Sequence, residues 1–191
     1  MEFITPTWER IFDFCVEGAG RIMELNVDFD MIVALSRGGL IPGRILSDLL
    51  AIHNVVVLDV KYYTGVGERA EKPKINEMSK LPIKDKNVLV ADDVVDTGES
   101  VKVAVEFLRS LKPKNLTIFT LHAKPHRIVD PDIFIEETSA WIIYPWEILE
   151  SMSDLECRGM SLNQIAKETG IKGELLKKVG ELHEKNRRNK S

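Results

Sequence analysis

Cysteine is nearly absent. Cys15 and Cys157 are the only two in 191 residues, too few for a disulfide framework and suited to a reducing cytosol. Long apolar runs are missing as well. Nothing approaches the roughly 20 consecutive apolar residues of a membrane-spanning helix. Glu2, Glu9, Arg10 and Asp13 interrupt the amino-terminal segment before a secretory signal pattern can form. The expectation is a cytoplasmic chain with no membrane partner. Positive charge is not in excess either: 26 Lys and Arg stand against 30 Asp and Glu, a formal net charge of −4. No bulk attraction to nucleic acid or an anionic membrane follows from that balance. The 44% hydrophobic and 29% charged content suffices for a core, and the length suits one domain, or one domain plus a small appendage.

The most informative stretch is Asn87–Ser100, Asn-Val-Leu-Val-Ala-Asp-Asp-Val-Val-Asp-Thr-Gly-Glu-Ser. Val88 to Ala91 is a short apolar run of the kind that forms a strand buried on both faces. Asp92 and Asp93 follow at its carboxyl end, and from Val101 to Leu111 the apolar residues Val101, Val105 and Leu108 have helical spacing. Strand, acidic turn, small-residue loop and helix start make a ligand site in an open α/β sheet. Backbone N–H groups from Val95 to Ser100, with a helix dipole behind them, suit a phosphate. Two acids beside an anion site make sense when the ligand also carries a ribose, whose hydroxyls Asp92 and Asp93 can take. This pattern resembles the phosphoribosyl diphosphate (PRPP) loop of the type I phosphoribosyltransferases. The resemblance implies a PRPP-binding run of Asp92, Asp93, Val94, Val95, Asp96, Thr97, Gly98, Glu99 and Ser100. It also implies Mg²⁺, held at Asp93 through ribose or water, and a catalytic role for Asp96 at N7 of a purine.

Other segments fit the same frame. Thr7 followed by Trp8 reads as a helix start, with Ile11, Phe12, Cys15, Ala19 and Ile22 on one apolar face. Met31–Leu35, Val55–Val60 and Leu116–Leu121 read as further buried strands, and a helix from Leu40 tolerates Pro42 in its first turn. Alternating strands and helices predict a parallel sheet flanked by helices. Between the first strand and that helix lies Ser36-Arg37-Gly38-Gly39, where two glycines admit a ligand to the backbone and Arg37 offers a planar fork of donors. It matches the family's diphosphate loop. Lys61 is a further diphosphate contact by position, and Thr64–Ser79, read as an irregular segment, has the length of a lid with Arg69 as its closing cation.

After the Leu116 strand comes His122-Ala123-Lys124-Pro125-His126-Arg127. Here the resemblance narrows to the 6-oxopurine branch, in which a lysine donates to the exocyclic oxygen of the base, and Lys124 is the matching position. His122 and His126 read as ordinary polar loop residues, with no zinc site. Thr138–Glu147 resembles the base-binding hood of bacterial xanthine–guanine enzymes: Trp141 would stack on a purine and Ile142 would offer backbone groups to its edge. Trp146 reads as core. Ile143 stands where those enzymes carry an acid, which leaves the preference at the purine 2-position open.

From Met152 that resemblance ends. Ser161–Ile171 reads as a helix with a glycine stop, followed by a second helix through Leu175, Leu176 and Val179. The spacing resembles a helix-turn-helix, but plain helix packing also accounts for it, and the expectation is a structural cover with no nucleic-acid partner. The sequence thus predicts a type I phosphoribosyltransferase domain with hood over 1–150 and a small all-helical extension over 151–191. The implied activity is transfer of 5-phosphoribosyl from PRPP to a purine, a 6-oxopurine such as hypoxanthine or guanine, in a homodimer or homotetramer. Alternatives are an adenine enzyme on the same core and a PRPP-sensing regulator that binds DNA through its tail.

Overall fold

The computed structural model describes residues 2–63, 72–75 and 81–189, with the backbone alone for 61–63 and 72–75. It divides into two compact units, one of residues 11–138 and one of residues 1–10 with 139–191.

The larger unit is a six-stranded sheet. Its strands are β2 (Met31–Ser36), β3 (Val55–Tyr63), β4 (Lys72–Ile75), β5 (Asn87–Val95), β6 (Asn115–Ala123) and β7 (Ile133–Glu137). They lie in the order β4-β3-β2-β5-β6-β7. All neighbours run parallel except β4, which is antiparallel to β3. The sheet is covered on both faces, as a parallel sheet requires. Val33, Leu35, Val88, Val90 and Ile118 form one face with Val101, Ala104, Val105 and Leu108 of α3 (Glu99–Ser110). Alternate residues point the other way. There Gly43 of α2 (Leu40–Leu49) sits against Ala34, Ala91 and Ile32, and Gly18 of α1 (Trp8–Glu24) sits against Phe119.

Two details differ from the sequence reading. Part of the stretch read as irregular is β4, the edge strand, and Pro73 is tolerated because an edge strand needs no second ladder. On α1 the buried stripe is Ile11, Phe14, Cys15, Gly18, Ala19 and Ile22, while Phe12 is 50% exposed. A rotation of 100° per residue puts Phe14, not Phe12, in line with Ile11 and Cys15.

The smaller unit pairs β1 (Phe3–Ile4) with β8 (Trp141–Ile142) in parallel. It adds α4 (Ile148–Cys157), α5 (Leu162–Thr169) and α6 (Gly173–Arg188), so the sequence boundary at residue 150 falls inside α4. Its core is Ile143, Met152, Leu155, Ile165 and Leu176. Trp146 is half-buried, its ring stacked 4.6 Å from Tyr144 and 5.6 Å from Trp8. Among the described residues no helix is long and apolar enough to cross a membrane.

Candidate active site

The strand order reverses direction between β2 and β5. From β2 the chain moves outward to β3, and from β5 it moves the other way to β6 and β7. The loops leaving the carboxyl ends of β2 and β5 therefore diverge and open a crevice, the usual ligand position of such sheets. These two loops are Arg37–Gly39 and Asp96–Gly98.

They meet closely. A Cβ at Gly38 would land on the Asp93 carboxylate, and one at Gly39 would land on the Ala91 carbonyl oxygen. Gly39 has φ −65° and ψ −10°, ordinary helical values, so space rather than backbone freedom demands glycine there. Gly39→Ala would also bring its methyl to 2.7 Å from the Leu35 oxygen and 2.8 Å from the Leu35 nitrogen. None of these backbone atoms can swing away. We expect a loss of about 3 kcal/mol or more, the upper range for overpacking, read as a lower urea midpoint with an unchanged slope. The peptide bond between Ser36 and Arg37 in this loop is cis.

β5 continues through the acids instead of ending before them. Asp92 pairs with Thr120, Val94 with His122 and Val95 with Ala123. Adjacent strand residues leave opposite sides of the pleat. Asp93 is 6% exposed, and its Oδ1 accepts the Val94 N–H at 2.8 Å. Asp92 is half-buried and accepts the Asp93 N–H at 3.0 Å. Asp92 also lines a cavity of about 100 Å³ with Val94, Val95, Asp96, Thr97, Gly98, Ser100 and Val101. Gly98, the residue before α3, has φ +89° and a Cβ position only 3.0 Å from the Val129 nitrogen. Glycine relieves both constraints. It also lends no side chain to cap α3, so the positive end of the helix dipole faces the turn.

A larger hollow of about 410 Å³, lined by Asp30, His53, Asn54 and Lys86 among others, lies at the amino ends of β2 and β3. It has neither a glycine turn nor a helix start. The smaller cavity has both, Gly98 before the start of α3, and is the candidate site.

The segment after β6 closes on this turn. The Lys124 N–H donates to the Val95 oxygen at 2.9 Å, and the Ile128 N–H donates to the Thr97 oxygen at 2.9 Å. Lys124 is only 8% exposed. Burial pushes its pKa below the ordinary lysine value, and the Asp96 carboxylate opposes that shift. Asp96 itself is exposed, and His126 Nε2 lies 3.0 Å from its Oδ1. Arg127 fixes the segment. Its guanidinium donates to the Lys124 oxygen at 2.8 Å, to Asp130 at 2.7 Å and to Glu137 at 2.6 Å, and lies 5.0 Å over the Phe134 ring.

The fold therefore brings together Ser36–Gly39, the whole Asp92–Ser100 run and Lys124. Sequence reasoning missed His126 and Arg127. The partner of His126 is thirty residues away, and Arg127 adds Glu137, ten residues on, to its nearer partners Lys124 and Asp130, so only the reverse turn after Lys124 could have hinted at them. Lys61 lies on β3, its backbone paired opposite Lys74. Its side chain, Arg69 and most of the Thr64–Ser79 lid lie outside the described residues. Trp141 and Ile142 form β8 of the smaller unit. There Trp141 is 39% exposed and the Arg158 guanidinium lies 5.6 Å over its ring.

Residues 8–148 match the phosphoribosyl transferase domain family. A xanthine-guanine phosphoribosyltransferase of Ruegeria sp. is 34% identical over 152 residues, 74% of this chain and 84% of that protein. The crystal structure of a purine phosphoribosyltransferase from Pyrococcus horikoshii Ot3 is 37% identical, covering 76% of this chain and 95% of that one with a TM-score of 0.71. The Helicobacter pylori xanthine-guanine-hypoxanthine phosphoribosyltransferase, 20% identical over 82% of this chain and 99% of its own with a TM-score of 0.67, shares the fold. With its sheet order, its acidic turn and these matches in agreement, the chain belongs to the phosphoribosyltransferase family.

Proposed function

We propose that this chain is a cytoplasmic purine-salvage enzyme that transfers 5-phosphoribosyl from PRPP to a 6-oxopurine, giving the nucleoside 5′-monophosphate and diphosphate. The observation that carries the proposal is the meeting of three loops at the β2–β5 switch point, with buried Lys124 beside Asp96. Two free cysteines suit a reducing compartment.

Each group has a distinct task. The turn from Val95 to Ser100 would take the 5′-phosphate, and Asp92 and Asp93 the ribose hydroxyls. Ser36–Gly39, with Lys61 and Arg69, would hold the diphosphate. Loss of diphosphate leaves positive charge on the ribose, so the fixed carboxylates stabilise the charge that develops there. Lys124 would donate to the 6-oxygen. Asp96 would hold the proton at N7. Trp141 would supply a flat face for the base, and Ile142 backbone groups for its edge.

Magnesium fits this donor set. Mg²⁺ takes one or two carboxylates and keeps substrate oxygens and waters for the rest, and Asp93 can supply one such carboxylate. Among the described residues there is no cluster of three or more His, Cys, Asp or Glu side chains that could cage a metal. The ion would be held at Asp93 through ribose or water, and when bound it would supply positive charge against the diphosphate. By family likeness we place the enzyme in a homodimer or homotetramer.

His126 belongs to the same proposal. Its imidazole holds Asp96 in one orientation, so His126→Ala should lower kcat about three- to tenfold, the worth of one hydrogen bond. The KM for PRPP should not change. His126→Gln, which keeps a donor, should recover part of the loss. An unchanged kcat in His126→Ala would leave Asp96 without this support.

Diphosphate release with PRPP, Mg²⁺ and each of hypoxanthine, guanine, xanthine and adenine tests the proposal. Turnover with 6-oxopurines is expected. Turnover with adenine alone would keep the fold and reverse the assignment of the base.

A further inference from the structure

The family match ends at residue 148, and the helices beyond it have no task in the reaction above. α4, α5 and α6 pack against one another pairwise around Met152, Leu155, Ile165 and Leu176, with Ala166, Ile171 and Val179 at the margin. α5 has a defined start: Gln164 N–H donates to the Ser161 hydroxyl at 3.4 Å, and the Gln164 Oε1 accepts the Ser161 N–H at 2.8 Å. It has an equally defined stop at Gly170, at φ 72°, whose N–H donates to the Ala166 oxygen at 3.0 Å. Residues 170–172 alone separate α5 from α6. Two helices joined by a three-residue glycine turn, with a third helix packed on both, form the framework of the helix-turn-helix.

Burial sorts the residues of α6 in the same sense. Leu176 is fully buried, while Lys172, Glu174, Leu175, Lys177 and Lys178 around its first two turns are exposed. Charge is sorted too. Residues 161–191 carry eight Lys and Arg against four Asp and Glu, a net of +4 in a chain whose total is −4, so residues 1–160 sum to −8. A helical cover needs no such segregation. A polyanion partner does.

We propose that the helical extension is a duplex-DNA binding module in which α6 enters the major groove. Lys172, Lys177 and Lys178 neutralise phosphates there, and Leu175 offers an apolar contact to base edges. The bulk charge of the chain, which gave no reason to expect nucleic acid, averages over a basic module and an acidic remainder.

The test uses the full chain and a fluorescein-labelled duplex of random sequence, read by anisotropy at low and moderate salt. Binding is expected at low salt and should weaken steeply as salt rises, with affinity no tighter than about micromolar at physiological salt, the ordinary range without a chosen sequence. The double variant Lys177→Glu/Lys178→Glu should bind at least about tenfold more weakly, and Glu174→Lys more tightly. Both should keep the melting temperature and the diphosphate release of the wild type. No binding at low salt would overturn the proposal. So would binding that ignores the charge reversal, equal affinity for a single strand of the same length, or variants that change only self-association.

Discussion

Asp96→Asn is expected to lower turnover about 10²–10⁴-fold, the range for removing a general acid or base, while PRPP binding stays close to wild type. The side chain is 60% exposed, so the substitution carries little folding cost. The amide oxygen of asparagine can still accept from His126, so the geometry at 3.0 Å survives. What disappears is the carboxylate proposed to hold the N7 proton. In the proposed arrangement the ribose contacts belong to Asp92 and Asp93, and the turn would hold the 5′-phosphate through backbone N–H groups that the substitution leaves in place. Separate measurements of kcat and of PRPP affinity by calorimetry therefore distinguish chemistry from binding. Equal losses in both would make Asp96 part of the PRPP cradle and nothing more.

Lys124→Met is expected to cost about 10- to 150-fold in kcat/KM with hypoxanthine or guanine, the worth of one hydrogen bond from a charged donor, and little or nothing with adenine. Methionine keeps most of the apolar stem and discards the ammonium. Burial disfavours that ammonium, since it pulls the lysine pKa down against the pull of Asp96. Removing it should leave the protein as stable as before, or more so. A pH effect follows with a definite sign. A depressed pKa means the amine loses its proton at lower pH than an ordinary lysine. Activity toward 6-oxopurines should therefore fall on the alkaline side earlier than a solvated lysine would dictate, while activity toward adenine should not follow it. If all bases suffer alike in Lys124→Met, the residue is structural.

Much of the candidate site was legible because its signals are local. The apolar run Val88–Ala91, the acids after it and the Gly98 turn are contiguous, as are the two glycines of the other loop. What escaped depends on partners far along the chain. The acids at 92 and 93 read as a turn after the strand, yet β6 supplies ladder partners as far as Ala123 and β5 runs on to Val95. β1 and β8 are two residues each and lie 138 positions apart in register, Phe3 opposite Trp141, too short for any periodicity to register. His126 looked like an ordinary loop histidine because nothing near it in sequence requires it. Its meaning appears when Lys124 and Ile128 dock on the acidic turn through Val95 and Thr97. The tail shows the opposite case: α5 and α6 were legible in the sequence, but α4, the packing of the three and the placement of exposed lysines needed coordinates.

Competition is the most direct test of the central claim. The wild-type chain would be given PRPP, Mg²⁺ and an equimolar mixture of hypoxanthine, guanine, xanthine and adenine, with the nucleotides formed at early times read by mass spectrometry. Accumulation of 6-oxopurine 5′-monophosphates ahead of the adenine product is the expected result. Formation of the adenine nucleotide alone, or of none while PRPP still binds tightly, would contradict the account.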